Sequence, residues 1–279
     1  LGVSNPRVMA KLDYTLFGFH AMILDGEQTY FIDPLTNGTQ EWYQIYYKKD
    51  YRRNLSHSMI CEVKDEELPQ DQGSAIPLAG SSQVPALSYK TNGDTIRNYR
   101  LALACTEEYS AAVGGATPTK ASVLSAMVTS MNRCNGVFEK DLSMHANLVN
   151  NEDTIIYLPG SGDPYTNNSG STMLGENQTN LTSLIGTANY DYGHVFSTGG
   201  GGIAQLGCVC NSGSKAQGVT GSSNPVGDAF DIDYVVHEVG HQLGGNHTFS
   251  MSNEGTGVNV EVGSGITIMG YAGITSQDV

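Results

Sequence analysis

Basic side chains are scarce in this chain: 14 Lys and Arg stand against 28 Asp and Glu, for a net charge of −14. Phosphate backbones and anionic membrane surfaces are bound through clustered cations, so neither fits as a partner. No apolar run approaches the roughly 20 residues of a membrane-spanning helix. No G-x-x-x-x-G-K-[ST] phosphate loop occurs, no D-x-[DN]-x-[DN]-G calcium loop, and no motif for a Ser or Cys nucleophile. Charged residues make up only 15% of the chain, while glycine alone numbers 34. With abundant Ser, Thr and Asn, this composition points to a loop-rich, secreted, extracellular protein. Leu1 in the initiator position implies an upstream segment, where a signal peptide has room.

The charge that is present is uneven. Residues 1–64 carry 7 basic and 7 acidic side chains, which leaves the whole −14 to the stretch from Asp65 onward. The step coincides with a segment poor in large apolar residues, Asp65 to Asp94, containing Glu-Glu-Leu-Pro and Gly-Ser-Ser-Gln, which reads as an exposed linker. Before it, Leu16–Ile23, Thr29–Asp33 and Trp42–Tyr47 read as strands, with Asp25-Gly26 as a hairpin turn. The expected organisation is a β-rich unit at 1–64, a linker at 65–96 and a second domain at 97–279.

One stretch of the second domain carries chemistry: His237-Glu238-Val239-Gly240-His241-Gln242-Leu243-Gly244-Gly245-Asn246-His247, or H-E-x-x-H-x-x-G-x-x-H. Residues four apart share a helix face, so His237 and His241 can present two imidazoles to one Zn²⁺. Glu238 projects about 100° around the helix, beside the metal, where it can act as general base. Gly244 tolerates the left-handed conformation with which such a helix stops, and the returning chain delivers His247 as third ligand. Three protein ligands leave one position open, as in a catalytic rather than a structural zinc site. Five fixed positions at odds near 5% each arise by chance in a chain this long on the order of once in ten thousand.

Further along, Ser264-Gly265-Ile266-Thr267-Ile268-Met269-Gly270-Tyr271 resembles the tight Met-turn of metzincin metallopeptidases, with Met269 as an apolar floor beneath the histidines. The chain is similar to the reprolysin-like zinc proteases secreted by bacteria. Tyr192–Ala204, Lys215–Gly221, Asp231–Tyr234 and Asn246–Phe249 carry the likeness, which covers most of Arg97 to Val279. The resemblance implies an α+β catalytic domain: a twisted, mostly parallel sheet with an antiparallel edge strand, an active-site helix and a Met-turn, preceded by a small β-rich prodomain. It implies a zinc endopeptidase acting on polypeptides that lie antiparallel along an edge strand at Gly202, Ile203 and Ala204. It gives Tyr271 two readings, a donor to the zinc or the developing oxyanion, or a ring packed as core. One departure stands out: reprolysins usually carry Asp after the third His, where this chain has Thr248.

Five cysteines leave one unpaired. Cys105, Cys134, Cys208 and Cys210 fall in the second domain and suggest two disulfides of open pairing. Cys61, at the end of the first unit, again has two readings: a prodomain thiolate occupying the zinc's open position in a latent zymogen, or a small buried hydrophobe. The acidic excess is compatible with bound Ca²⁺, although Asp228, Asp231 and Asp233 read better as charges complementing a helix N-terminus. Thr117 and Pro118 suggest the start of a helix with core positions Val123, Leu124, Met127, Val128, Met131, Val137 and Phe138. Strands are expected at Leu142–Val149, Thr154–Leu158 and Tyr192–Ser197, and a helix at Asn177–Ala188 after a loop at 160–175. The chain stops ten residues after Met269, short of the C-terminal helix usual in metzincins, so a remainder is expected elsewhere. The alternative function is a catalytically silent, protease-like binding or adhesion domain, against which the intact Glu238 and three histidines count.

Overall fold

The computed structural model describes residues 2, 4–5, 7–26, 28–36, 41–50, 60–63, 95–251 and 258–271. The expected linker falls almost wholly outside them. The N-terminal part is a four-stranded antiparallel meander, β1 Met9–Thr15, β2 Gly18–Leu24, β3 Thr29–Pro34 and β4 Tyr43–Tyr47, in sequential order. β1 was not anticipated, although Met-Ala-Lys-Leu-Asp-Tyr-Thr alternates half-buried and exposed side chains along its whole length. The Asp25-Gly26 turn forms with Gly26 at φ +93° and the Asp25 carboxylate accepting the Gln28 N–H at 2.6 Å.

The second part is mixed α and β. In chain order it contains β5 Arg97–Cys105, α1 Glu107–Val113, α2 Lys120–Val137, β6 Met144–Leu148, α3 Gly170–Leu184, β7 Tyr192–Ser197, β8 Gly202–Ala204, β9 Gly218–Gly221 and α4 Val236–Gln242. Its sheet runs β6-β5-β7-β9-β8, with every pairing parallel except β8 against β9. β5 and β7 lie in the interior of this sheet; β7 is buried throughout and β5 from Leu101 onward, as strands covered on both faces are.

α2 is the hinge of the packing. Val123, Met127, Met131 and Cys134 are buried at spacings of four, four and three, the stripe expected of a core-facing helix. They join one apolar core that also takes in Met22, Leu24 and Phe31 of the N-terminal sheet. A β-carbon on Gly136 would sit 2.3 Å from Met22 Cε, so glycine permits this close approach. Around the contact run polar links: Lys11 to Glu139 at 2.5 Å, Asp13 accepting from Thr129 and Asn132 at 2.8 and 3.1 Å, and Lys48 to Asp228 and Asp233 at 3.0 and 3.1 Å. At the centre Arg133 is shared between Asp33 of β3 and Asp231, the latter at 3.0 Å, and lies over the Phe31 ring at 5.1 Å.

Several expectations are corrected. α2 starts at Lys120, because Thr119 and Ser122 form a reciprocal capping box that outcompetes Thr117 and Pro118. Residues 154–158 are no strand: Glu152–Ile155 is a 3₁₀ turn, and only Ile156 bridges to Cys105. The reason is Glu152, whose buried carboxylate takes the Leu103 N–H at 2.7 Å just beyond the point where β6 stops pairing with β5. α3 begins at Gly170, inside the expected loop, and ends before Gly186 at φ +83°. β6 begins only at Met144, since residues 138–142 form a π-helical turn closed by left-handed Ser143. Asp228 and Asp231 do stand at the start of the helical turn 229–235, as expected, and with Asp233 they also pair with Lys48 and Arg133. The two disulfides are absent, and all five cysteines are unpaired. Cys105, Cys134 and Cys208 are instead buried beside Ser110 Oγ, the Asp231 carbonyl and Gln242 Nε2 respectively.

Candidate metal centre

The site is built where α4 ends. A π-helical turn at residues 229–235 feeds the helix, which presents His237, Glu238 and His241, all fully buried. The chain reverses at Gly244, φ +98°, with the Gly244 and Gly245 N–H groups donating back to the His241 and Gly240 carbonyls at 2.8 and 2.9 Å. His247 then returns to the helix. Its Nε2 lies 3.1 Å from His241 Nε2, which is itself 3.1 Å from His237 Nε2.

These contacts are not hydrogen bonds. His237 Nδ1 faces the Ile268 carbonyl and His241 Nδ1 the Gly245 carbonyl, each at 2.6 Å, so the Nδ1 atoms carry the protons. The Nε2 lone pairs of His237 and His241 therefore point at one another, with His247 Nε2 beside them, an arrangement that calls for a cation between them. Burial and the neighbouring His237 and His247 push the His241 pKa down to about 2, so this imidazole is neutral, as a ligand must be.

Cys61 completes the group. Its Sγ lies 3.5 Å from His241 Nε2, and the four donor atoms are all within 4.8 Å of one another. Tetrahedral zinc with nitrogen at about 2.05 Å and sulfur at about 2.3 Å would place nitrogens roughly 3.3 Å apart and sulfur roughly 3.6 Å from nitrogen. The separations from His241 to His237, His247 and Cys61 fit zinc, as does the donor chemistry. The match to residues 95–279 of a model for the metallopeptidase family M12B, reprolysin-like, agrees.

The chain belongs to the reprolysin-like M12B metallopeptidases.

No curated protein matches it. Membership implies a metal, typically zinc, and peptidase chemistry on polypeptides. Calcium finds no support. Among the described residues the cluster able to hold a metal is the Cys-His group, and the acidic residues near Asp231 are engaged by Lys48, Arg133 and Ser130.

Segment 60–63 is held against β8 and the histidine cluster by backbone as well as sulfur. Gly202 of β8 donates to the Ile60 carbonyl at 2.9 Å and accepts from the Glu62 N–H at 2.8 Å, so Cys61 runs parallel to the edge strand. The preceding glycines make this possible: Gly201 has φ +65°, and a β-carbon there would lie 2.5 Å from the Ile60 oxygen. Ile203 and Ala204 continue β8 along its pairing with β9.

Glu238 has no conventional hydrogen-bond partner for either carboxylate oxygen. Burial pushes its pKa up to about 8, and the Cys61 thiol beside it offsets only part of this. Burial and the Glu238 charge hold the Cys61 thiol well above its ordinary value, while a hydrogen bond from Tyr271 acts the other way. Tyr271 sits beside the third histidine. Its ring packs 4.8 Å from His247 and 4.3 Å from Phe249, and its hydroxyl reaches the sulfur in the cleft.

Met269 lies under the helix at Gly240, where a β-carbon would come within 2.4 Å of its sulfur. The signature leaves that position unspecified, so the need for glycine was not readable from spacing. Nor was the support from β7: buried His194 contacts Gln242 Oε1 at 2.8 Å and Thr220 Oγ1 at 2.8 Å. Gln242 in turn donates to the Gly193 carbonyl at 2.9 Å.

Proposed function

We propose that this reprolysin-like metallopeptidase is a secreted zinc endopeptidase of metzincin type, made as a zymogen. Residues 1–64 act as the prodomain, 65–96 as the activation linker and 97–279 as the catalytic domain. His237, His241 and His247 would hold the zinc through Nε2, with Cys61 as fourth donor in the latent form only. Bound there, zinc supplies Lewis-acid stabilisation of the carbonyl oxygen and lowers the pKa of a water molecule.

The chain's own residues do the rest. Ile203 and Ala204 of β8 offer an edge along which an extended peptide pairs antiparallel, opposite in direction to segment 60–63. Glu238, ionised once a cationic centre sits beside it, takes the proton of the attacking water and returns it to the leaving amine. Tyr271 turns its hydroxyl from the Cys61 sulfur to the developing oxyanion. Gly244 and Met269 keep the ligand turn and the floor of the site in place. The reading rests above all on the convergence of four donors, three of them fixed on one helix and its return. Secretion is supported by composition and by the likeness to reprolysin-like proteases secreted by bacteria.

Casein hydrolysis by the whole chain, before and after cutting within residues 65–96, tests this reading. Activity is expected only after the cut, with loss on chelation and in Glu238→Ala, which still binds zinc. Chelator-insensitive hydrolysis, or a Glu238→Ala protein as active as the parent, would overturn it.

A further inference from the structure

Glu261 lies outside every signature of the site, yet its carboxylate collects four hydrogen bonds there. It accepts from the hydroxyls of Thr248 and Thr267 and from the backbone N–H groups of Ile266 and Thr267 at 2.6 and 3.0 Å. Its own N–H donates to the Thr248 carbonyl at 2.9 Å, and the Thr248 N–H donates to the Met269 carbonyl at 3.1 Å. Gly265, at φ +75°, leaves room for the carboxylate, since a β-carbon there would be 3.0 Å from Glu261 Oε2.

The consequence follows along the chain in both directions. Thr248 is the residue after His247, the third imidazole. Ile266 and Thr267 lead directly to Ile268, whose carbonyl orients His237 through Nδ1 at 2.6 Å. One carboxylate therefore ties together the segment that carries one imidazole and the turn that aims another.

We propose that Glu261 is a positioning residue for the metal centre: it clamps the Met269 turn to the Thr248 segment and so sets the aim of His237 and His247. This rests on the zinc reading above. Burial disfavours the charge on Glu261, but the Thr248 and Thr267 hydroxyls and the two N–H groups hold its pKa down at about 2, so the acceptor is ionised throughout the working range. The clamp also gives Thr248 a task. It reaches from the ligand segment to a carboxylate placed 14 residues after His247.

The test is zinc release from the whole chain to a chromophoric chelator. Glu261→Ala is expected to release zinc about 10–100-fold faster than wild type, the usual effect of losing a group that orients ligands. Glu107→Ala is the control, because that carboxylate gathers N–H groups of Gly160, Gly162 and Asp163 rather than of the ligand segment or the Met269 turn. It should lower stability and leave release within twofold of wild type. Glu261→Gln keeps an acceptor oxygen and should recover most of the loss. If Glu261→Ala does not fold, the double variant Thr248→Val, Thr267→Val carries the test, with at least fivefold faster release expected. Wild-type release rates in Glu261→Ala or the double variant, or equal acceleration in Glu107→Ala, would overturn the proposal. Failure of the wild-type chain to bind zinc would overturn both this proposal and the zinc reading beneath it.

Discussion

Replacing Arg133 by Met would show how firmly the N-terminal sheet is held. The guanidinium side chain is 4% exposed, as is Asp231, while Asp33 is 15% exposed. Met keeps the aliphatic volume and the contact with Phe31, so the loss is chiefly of charge. Two carboxylates would then lose their cation in a poorly solvated place, Asp33 keeping the Tyr46 hydroxyl at 2.9 Å and Asp231 the Ser130 hydroxyl at 2.5 Å. Removing one partner of a buried pair costs about 3–5 kcal/mol. Asp231 limits that cost by taking a proton, since burial already raises its pKa against the pull of Arg133. For a chain of this size about 2–4 °C of Tm accompanies each kcal/mol, so Tm should fall by roughly 6–20 °C. The deficit should be larger at pH 7 than at pH 5, where protonation relieves the stranded Asp231. Asp33→Asn leaves the Arg133–Asp231 pair intact, weakens only the bond into the N-terminal sheet and should cost about 1.5–3 kcal/mol. Thermal unfolding followed by circular dichroism reads both. An Arg133→Met chain within 1 kcal/mol of wild type, or Asp33→Asn as costly as Arg133→Met, would refute the reasoning.

Two further outcomes follow from buried contacts. Gly240→Val places a branched side chain where Met269 sulfur lies 2.4 Å from the would-be β-carbon; overpacking should cost about 1–3 kcal/mol in urea unfolding, and a variant as stable as wild type would sink the assignment of Met269 as the floor. His194 is held neutral by burial, its pKa depressed from 6.5 to about 4, so the stability it contributes is complete above pH 6.5 and is lost as pH falls toward 4. The full effect is up to about 3 kcal/mol. His194→Gln should flatten stability against pH across that window, and an unchanged slope would contradict the burial argument.

The parts of the site that were legible in the sequence are those set by local spacing. His237, Glu238 and His241 follow from helix pitch, and Gly244 from the backbone conformation of the stop. Cys61 could be singled out because an odd cysteine stood at the end of a β-rich segment. Long-range choices were not legible. Arg133 meets partners about 100 residues away in either direction, which no periodicity announces. Glu261 is an unremarkable acid until the fold brings two threonines and a turn around it. The expected disulfides failed for a related reason: counting cysteines says nothing of distance, and Cys134 and Cys105 each found a buried oxygen instead. Local competition explains the rest. Thr119 outbid Thr117 because Ser122 completes its box, and Glu152 replaced strand pairing beyond β6 with a side-chain bond. The alternation of β1 is present in its residues, but the apolar Leu16 and Phe17 that look like the start of a strand form the turn that follows it.

X-ray absorption at the zinc edge of the intact, zinc-loaded chain would probe the centre most directly. Three nitrogen ligands and one sulfur are expected, with the sulfur replaced by oxygen in Cys61→Ala while the three nitrogens remain. A wild-type spectrum without sulfur would contradict the part given to Cys61, and fewer than three nitrogens would contradict the His237, His241, His247 site itself.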